Sequence, residues 1–400
     1  MQKAFQKLKQ PLWLRTENRR NDVLFVSKIT DICCSYVPQP IRKFLLTFID
    51  NSAISLTRIF TLLSQLKLTC YQISGKEKNS DLPLTILFFS ENNKFSYLID
   101  QLFCKGPDMK ILGRGSIRSA ANIYKKNKND IDAIFIRCDR FYYGFLEKKG
   151  CKIIPEFVSL KVDVSKEFSE LYKSFTKSAK EDIRKVKKEG YSYEITDDLD
   201  KIRFFYKNMY IPYSYKRYGN FAICATFSTI RHLVERGSKL MLIKKNNDYL
   251  FGSLFFFSNN TVIGTHAGII NGKSELLKKG VSSASYYFAI IYSKKLNTKY
   301  LDFGSCRPFL NNGLLRYKKK WGASIENSKS SFSVFGFKTI EKKEGIREFL
   351  LNNPFISWDK NKLVGNIFLS EDMKSNNEEI KNLLKNYDTN GLVKQNVEYL

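Results

Sequence analysis

The sequence predicts an α/β (α+β) protein with two consecutive sheet-bearing segments. Three observations predict it. Short apolar runs alternate with helical spacing over 84–139. One long amphipathic stretch covers 166–189. Three apolar runs separated by Asn-containing turns fill 239–270. Strand–helix alternation marks a layered α/β fold, and apolar runs joined by short Asn turns mark an antiparallel meander.

Residues 1–83 read as a mostly helical region. Phe44, Leu45, Phe48, Ile49, Leu56, Ile59, Phe60 and Leu63 recur at helical spacing within 41–70, with Asp50 and Arg58 among them. Those charges make a poor membrane span. An amphipathic helix pair packed on the protein is expected, with a membrane-surface position as the second reading. The first twenty residues lack the continuous apolar stretch of a secretory signal.

From 84 the pattern changes. PLTILFFS (83–90), MKILGRGS (109–116) and DAIFIRCD (132–139) read as strands, with helices at 92–104 and 116–126 between them. FVSLKVDV (157–164) is a further strand. The helix expected at 166–189 keeps Phe168, Leu171, Phe175, Ala179, Ile183 and Val186 on one face and stops at Gly190. YSYEI (191–195) alternates like an edge strand, and helices follow near 198–217 and 226–236. The meander consists of 239–245, 249–258 and 261–270. A polar loop (271–280) then leads to a helix at 282–295, a parallel-reading strand at 299–304, a helix near 311–320 and a closing strand at 330–337. Residues 346–400 read as an appendage with one polar helix near 374–387. The expected segments are therefore 1–83, 84–160, 161–345 and 346–400.

Composition bounds the function. Against 39 Asp+Glu stand 67 Lys+Arg, a net charge of +28. Such a surplus favours polyanionic partners: phosphates, nucleic acid or an anionic membrane face. An AT-rich genome produces the same lysine-rich balance with no partner at all. Eight scattered Cys without a CxxC pair, and only two His, argue against zinc, redox or disulfide frameworks and for a cytoplasmic compartment. Gly113-Arg114-Gly115-Ser116 is too short for a P-loop and lacks its lysine, and Asp302-Phe303-Gly304 has no kinase companions.

The residues that can carry chemistry cluster late in the chain. Lys278, Lys279, Gly280, Val281, Ser282 and Ser283 join a loop to a helix. Glycine permits close approach, a serine can cap the helix, and the first N–H groups with two lysines suit a pyrophosphate. The same turn also occurs as plain structure. His266 lies on the preceding strand, as a general base or as a satisfied core residue. Asp302 and Ser305 lie at a strand end, where α/β sheets open their clefts. Asp302 can accept a proton or only orient a loop. Leu314, Tyr317 and Trp321 form the expected buried stripe of the next helix, which turns Lys318 outward to a phosphate or to solvent. Arg307 is placed to bind an acidic acceptor. Arg184 and Lys188 belong to a dense basic helix face, either solvated or a platform for a phosphate-rich acceptor or tRNA.

This order of elements resembles the GNAT acyltransferase superfamily. LDFGSCRPFLNNGLLRYKKKWG (301–322) resembles the signature of its FemAB and CelD-like branch at Asp302, Phe303, Gly304, Gly313, Leu314, Tyr317, Lys318, Trp321 and Gly322, with Ser305 one position early. KSAKEDIRKVKKEGY (177–191) resembles the branch's basic helix at Ile183, Arg184, Lys185, Lys188 and Gly190. The donor loop departs from the usual form, with Leu277 where Gln or Arg is usual and Ser282 where Gly or Ala is usual. The resemblance implies tandem GNAT-like domains, a degenerate one at 84–160 and one at 161–345 whose mixed, mostly antiparallel sheet splays at the donor site. It implies an acyl-CoA (acetyl-CoA) donor bound at 278–283, an amine or hydroxyl acceptor such as a polysaccharide or cell-envelope precursor, no metal, and oxyanion stabilisation by the strand bearing His266. An aminoacyl-tRNA donor is the alternative. A non-catalytic basic scaffold on anionic lipid or nucleic acid is the alternative from another class.

Overall fold

The computed structural model describes residues 67–91, 96–104, 106–117, 130–219, 222, 224–328, 331–340 and 343–400. Of the helix pair expected within 41–70 and the helix expected at 116–126, residues 41–66 and 118–126 lie outside the described residues. The first strands are β1 (Leu68–Lys76), β2 (Pro83–Ser90), β3 (Asp108–Gly115), β4 (Ala133–Asp139), β5 (Lys152–Pro155) and β6 (Val158–Asp163). Helices α1 (Ser96–Leu102) and α2 (Tyr143–Lys148) lie between them. There follow α3 (Phe168–Ser174), α4 (Lys177–Lys188), β7 (Ser192–Thr196), α5 (Leu199–Phe205), α6 (Ile211–Tyr218) and α7 (Phe227–Glu235). The meander is β8 (Lys239–Lys245), β9 (Asp248–Ser258) and β10 (Thr261–Ile269). Next come α8 (Glu275–Lys278), α9 (Val281–Lys295), β11 (Tyr300–Cys306), α10 (Gly313–Lys319), β12 (Ser324–Asn327) and β13 (Ser333–Thr339). The chain ends with α11 (Glu344–Asn352), β14 (Phe355–Asp359), β15 (Lys362–Leu369), α12 (Asn377–Tyr387) and β16 (Gln395–Tyr399).

The described residues form two compact units. One comprises 67–158, 305–316 and 325–400; the other comprises 159–304 and 317–324. Each has its own sheet, and both sheets are mixed.

The first unit holds a nine-stranded sheet in the order β16-β15-β14-β5-β13-β4-β2-β1-β3. β2–β4 and β15–β16 are parallel; β1–β2, β1–β3, β13–β4, β13–β5 and β14–β15 are antiparallel. Its central strands are apolar almost without interruption because both faces are covered. Ile86, Phe88 and Phe135 enter one cluster with Phe335, Phe349 and Phe355. Leu87, Phe89, Ile134 and Ile136 enter the other with Leu68 and Cys70. Each such side chain contributes about 1.5–3 kcal/mol on burial. A buried ion pair ties β4 to the residue after β5: Arg137 Nη2 lies 3.1 Å from Glu156 Oε2.

Several expectations need correction. The helical reading of 1–83 fails at 68–76, where a strand pairs with both β2 and β3. Residues 346–400 are not an appendage: β14, β15 and β16 complete the large sheet. The strand expected to close the second sheet, β13, instead lies between β4 and β5 in the first. The expected boundaries at 160 and 345 therefore give way to a unit that the chain leaves at 158 and re-enters twice.

In the second unit β6, β11, β10, β9, β8 and β7 lie side by side in that order. The meander is antiparallel and β11 runs parallel to β10. Phe205 and Met209 from α5 and the π-helical turn after it (Tyr206–Tyr210) pack with Leu240, Leu242, Leu254 and Phe256. The expected long helix at 166–189 is two helices. Phe175 is extended, and Thr176 caps α4 by accepting from the Ala179 N–H at 3.3 Å. An apolar face that continues across both helices hid the break. Among the described residues no helix is long and apolar enough to cross a membrane.

Candidate active site

The second unit builds its site around the start of α9 and the separation of β10 from β11. Gly280 stands just before α9 with φ +83°, ψ +17°, a left-handed conformation that glycine adopts without strain. No side chain caps this helix. The expected serine cap is a correction: Ser283 is buried, donates to Asp182 Oδ2 at 2.6 Å and shares a hydrogen bond with the Tyr317 hydroxyl at 2.7 Å. The polar network inside the unit outcompetes the helix end for that hydroxyl. Ser282 is half-buried, Val281 fully buried, and Lys278 and Lys279 are exposed.

The turn is held from behind. Lys185 Nζ donates to the Lys278 carbonyl, and Tyr191 OH donates to the Lys279 carbonyl at 3.1 Å. Lys185 Cδ lies 3.5 Å from where a Cβ of Gly280 would be. Arg184 and Lys188 are exposed on α4, whose last turn also carries Lys185 and Lys187. The turn is therefore bordered by lysines on two elements.

β10 and β11 pair only from Thr261–Ile263 against Tyr300–Asp302. Beyond that point β10 also slips register against β9, between Gly264 and Ala267. Thr265 and His266 lie in this irregular stretch, and Thr265 Oγ1 bonds the Leu254 carbonyl at 3.0 Å. A bulge of this kind re-aims backbone groups out of a ladder.

The signature residues explain why β11 turns. Gly304 has φ +81°. Its N–H donates to Asp302 Oδ1 at 2.7 Å, and its carbonyl accepts from Lys318 Nζ at 2.9 Å. Asp302 and Lys318 are 6% and 4% exposed. Asp302 is thus an orienting group. The outward placement of Lys318 is corrected, because the bent strand's carbonyl needs a buried donor. The buried stripe of α10 accordingly includes Leu315 and Lys318, with Trp321 beyond its end, rather than Leu314 and Tyr317.

The premise that His266 retains an ordinary pKa is also corrected. Burial pushes it down to about 4. The ring stays neutral at pH 7, with Nδ1 3.1 Å from Thr265 Oγ1 and Tyr210 edge-on at 5.2 Å. A base that weak contributes little proton abstraction. His266 is half-buried; His232, fully buried, is held at about 4 by the same cause.

Two expected site residues belong to the first unit. Ser305 Oγ lies 3.3 Å from Ser328 Oγ. The Arg307 guanidinium lies 3.5 Å from the Tyr97 ring centroid and 4.2 Å from that of Phe157, with Nη1 3.9 Å from Glu156 Oε1. The expected acceptor-binding role is corrected: two rings and a buried carboxylate already engage this cation.

Sequence reasoning missed Asp182, Lys320 and the role of Tyr317. Lys320 Nζ pairs with Asp182 Oδ2 and lies 3.9 Å from the Tyr317 ring centroid. Burial pushes the Tyr317 phenol up to about 12, so it stays protonated and able to donate. A signal was present: Asp182 lies three residues after Ala179 and four before Val186, a carboxylate inside an apolar helical stripe. Among the described residues no group of His, Cys, Asp or Glu could hold a metal ion.

No protein-family model and no curated protein matches the chain. Solved structures similar to it include FemX, with 17% identity over 64% of this chain and 82% of that one at a TM-score of 0.37. A tandem GNAT protein from the clavulanic acid biosynthesis pathway shows 11% identity over 61% and 78%, at 0.28. A GCN5-related N-acetyltransferase from Sphaerobacter thermophilus shows 6% identity over 68% and 76%, at 0.30.

Proposed function

We propose that the chain is an acyltransferase that moves an acyl group from acyl-CoA to an amine or hydroxyl acceptor. The observation that carries this reading is the uncapped start of α9 behind left-handed Gly280, in the unit where β10 parts from β11 and bulges against β9. A helix start of this kind, flanked by Lys278 and Lys279, suits the donor's pyrophosphate. Backbone N–H groups of β10 around Thr265 and His266 would receive the charge that develops on the thioester oxygen.

The acceptor nitrogen or oxygen forms the new bond to the acyl carbon and loses its proton to solvent. The carbon–sulfur bond then breaks, and the departing thiolate takes a proton from solvent. Arg184 and Lys188 supply positive charge for an anionic acceptor, for which a polysaccharide or cell-envelope precursor is the proposed class. Positioning and charge stabilisation provide the acceleration.

The exposed basic end of α4 favours a second reading, an aminoacyl-tRNA donor. Calorimetry with acetyl-CoA separates the two. Saturable binding lost in Gly280→Trp, which must displace Lys185, supports the first. Turnover stimulated only by charged tRNA supports the second. Binding of neither, with salt-steep association to nucleic acid or anionic vesicles, would sink both in favour of a scaffold.

A further inference from the structure

The first unit contains a pocket of about 180 Å³ remote in sequence from every group invoked above, formed where α11 crosses β5, β13, β15 and β16. Its inner wall is apolar: Phe337, Leu350 and Phe368 line it, each at most 4% exposed. Its rim is cationic, with Lys152, Lys338 and Arg347. Lys152 Nζ stands 5.9 Å from the centroid of the Phe368 ring.

These charges are partly compensated. Glu398, the one acidic side chain in the lining, lies 3.6 Å from Lys152. Lys338 Nζ donates to a neutral carbonyl, that of Lys149, at 3.1 Å. Arg347 Nη2 donates to the Leu400 carbonyl oxygen at 3.2 Å, while its Nε is buried with no hydrogen-bond partner among the described residues. A planar guanidinium favours carboxylates.

We propose that this pocket binds a small monocarboxylate with an aromatic or branched apolar body. Size supports that class: a cavity of about 150 Å³ accommodates benzene, so this one accommodates a single ring or a branched five-carbon chain with its carboxylate at the rim. Charge complementarity supports it too: the lining carries three cations and one glutamate, with Asp372 outside it as a further carboxylate near Arg347. A neutral apolar molecule would leave the rim unmatched, and a compact inorganic anion would leave the apolar wall unfilled.

The test is calorimetry on the full chain with four probes: benzoate, 3-methylbutanoate, benzyl alcohol and inorganic phosphate. Saturable binding of both carboxylates is expected, at least tenfold tighter than benzyl alcohol or phosphate. Arg347→Met should weaken benzoate at least tenfold, and Thr339→Trp, which fills the mouth, should abolish binding. Near-UV circular dichroism checks both folds. Should Arg347→Met not fold, Lys338→Met at the exposed rim replaces it, with at least threefold weakening expected. Equal affinity for benzyl alcohol, equal affinity for phosphate, no binding of either carboxylate, or indifference to the folded variants overturns the assignment.

Discussion

Replacing Gly280 tests the backbone geometry on which the α9 site depends. At φ +83° and ψ +17° any residue with a Cβ in the left-handed region meets its own backbone. That costs about 1–2 kcal/mol for alanine. The surroundings add little, because the nearest atom to the new methyl, Lys185 Cδ, would lie 3.5 Å away in ordinary contact. Gly280→Ala should therefore destabilise the protein by about 1–2 kcal/mol, nearly all of it conformational. Asparagine tolerates this region better, and the chain itself uses it so. Asn246, Asn259, Asn260, Asn271, Asn297 and Asn361 account for six of its eight described non-glycine residues with positive φ. Gly280→Asn should lose less than half as much as Gly280→Ala. Equilibrium urea unfolding followed by circular dichroism reads both values. Equal losses would mean that the Lys185 contact, not the backbone, governs the site. No loss in Gly280→Ala would refute the left-handed start of α9.

Three further outcomes are expected. His232 and His266 titrate near 4 when folded against 6.5 normally, so the unfolded chain binds protons that the folded one refuses in that window. Stability should therefore fall as pH drops from about 6.5 towards 4 and should not depend on these groups above that range, and imidazole NMR shifts should give both midpoints below 5. Tyr317→Phe removes the hydroxyl that partners buried Ser283 and should cost about 1–3 kcal/mol in urea unfolding; an unchanged midpoint would exclude that bond. Arg137→Ala removes the 3.1 Å ion pair of buried Glu156, leaving the longer approach of Arg307 at 3.9 Å, and should cost about 3 kcal/mol in urea unfolding of the first unit, whereas Arg140→Ala on the adjacent short helix serves as the mild control.

Much of the second unit was legible because its signals are local. Asn turns set the meander, Gly190 and Gly237 ended helices, and Gly280 before an apolar stretch marked the start of α9. The parallel direction of β11 followed from the intervening helix. Lys318 was not legible, because a lysine beside an apolar stripe reads as surface until the bend at Gly304 supplies a carbonyl in need of a donor. Asp182 was overlooked among basic neighbours. The tail was misread for another reason. β14, β15 and β16 gain their meaning from β5 and β13, and pairing across such separations leaves no mark in a short window of sequence. His266 kept its identity as a candidate but not its chemistry, since desolvation depends on packing that spacing does not reveal.

The broken path through the large sheet has a consequence during synthesis. β5 finishes at residue 155, yet its neighbours β13 and β14 begin at 333 and 355. Roughly 180 residues must leave the ribosome before the nearer partner exists, on the order of 10–40 s at ordinary translation rates. Through that interval β4 and β5 carry open edges and apolar faces, and by its end every strand from β7 to β11 has emerged beside its neighbours. The half that emerges first is thus completed last, and the nascent chain is most prone to aggregation between those two moments.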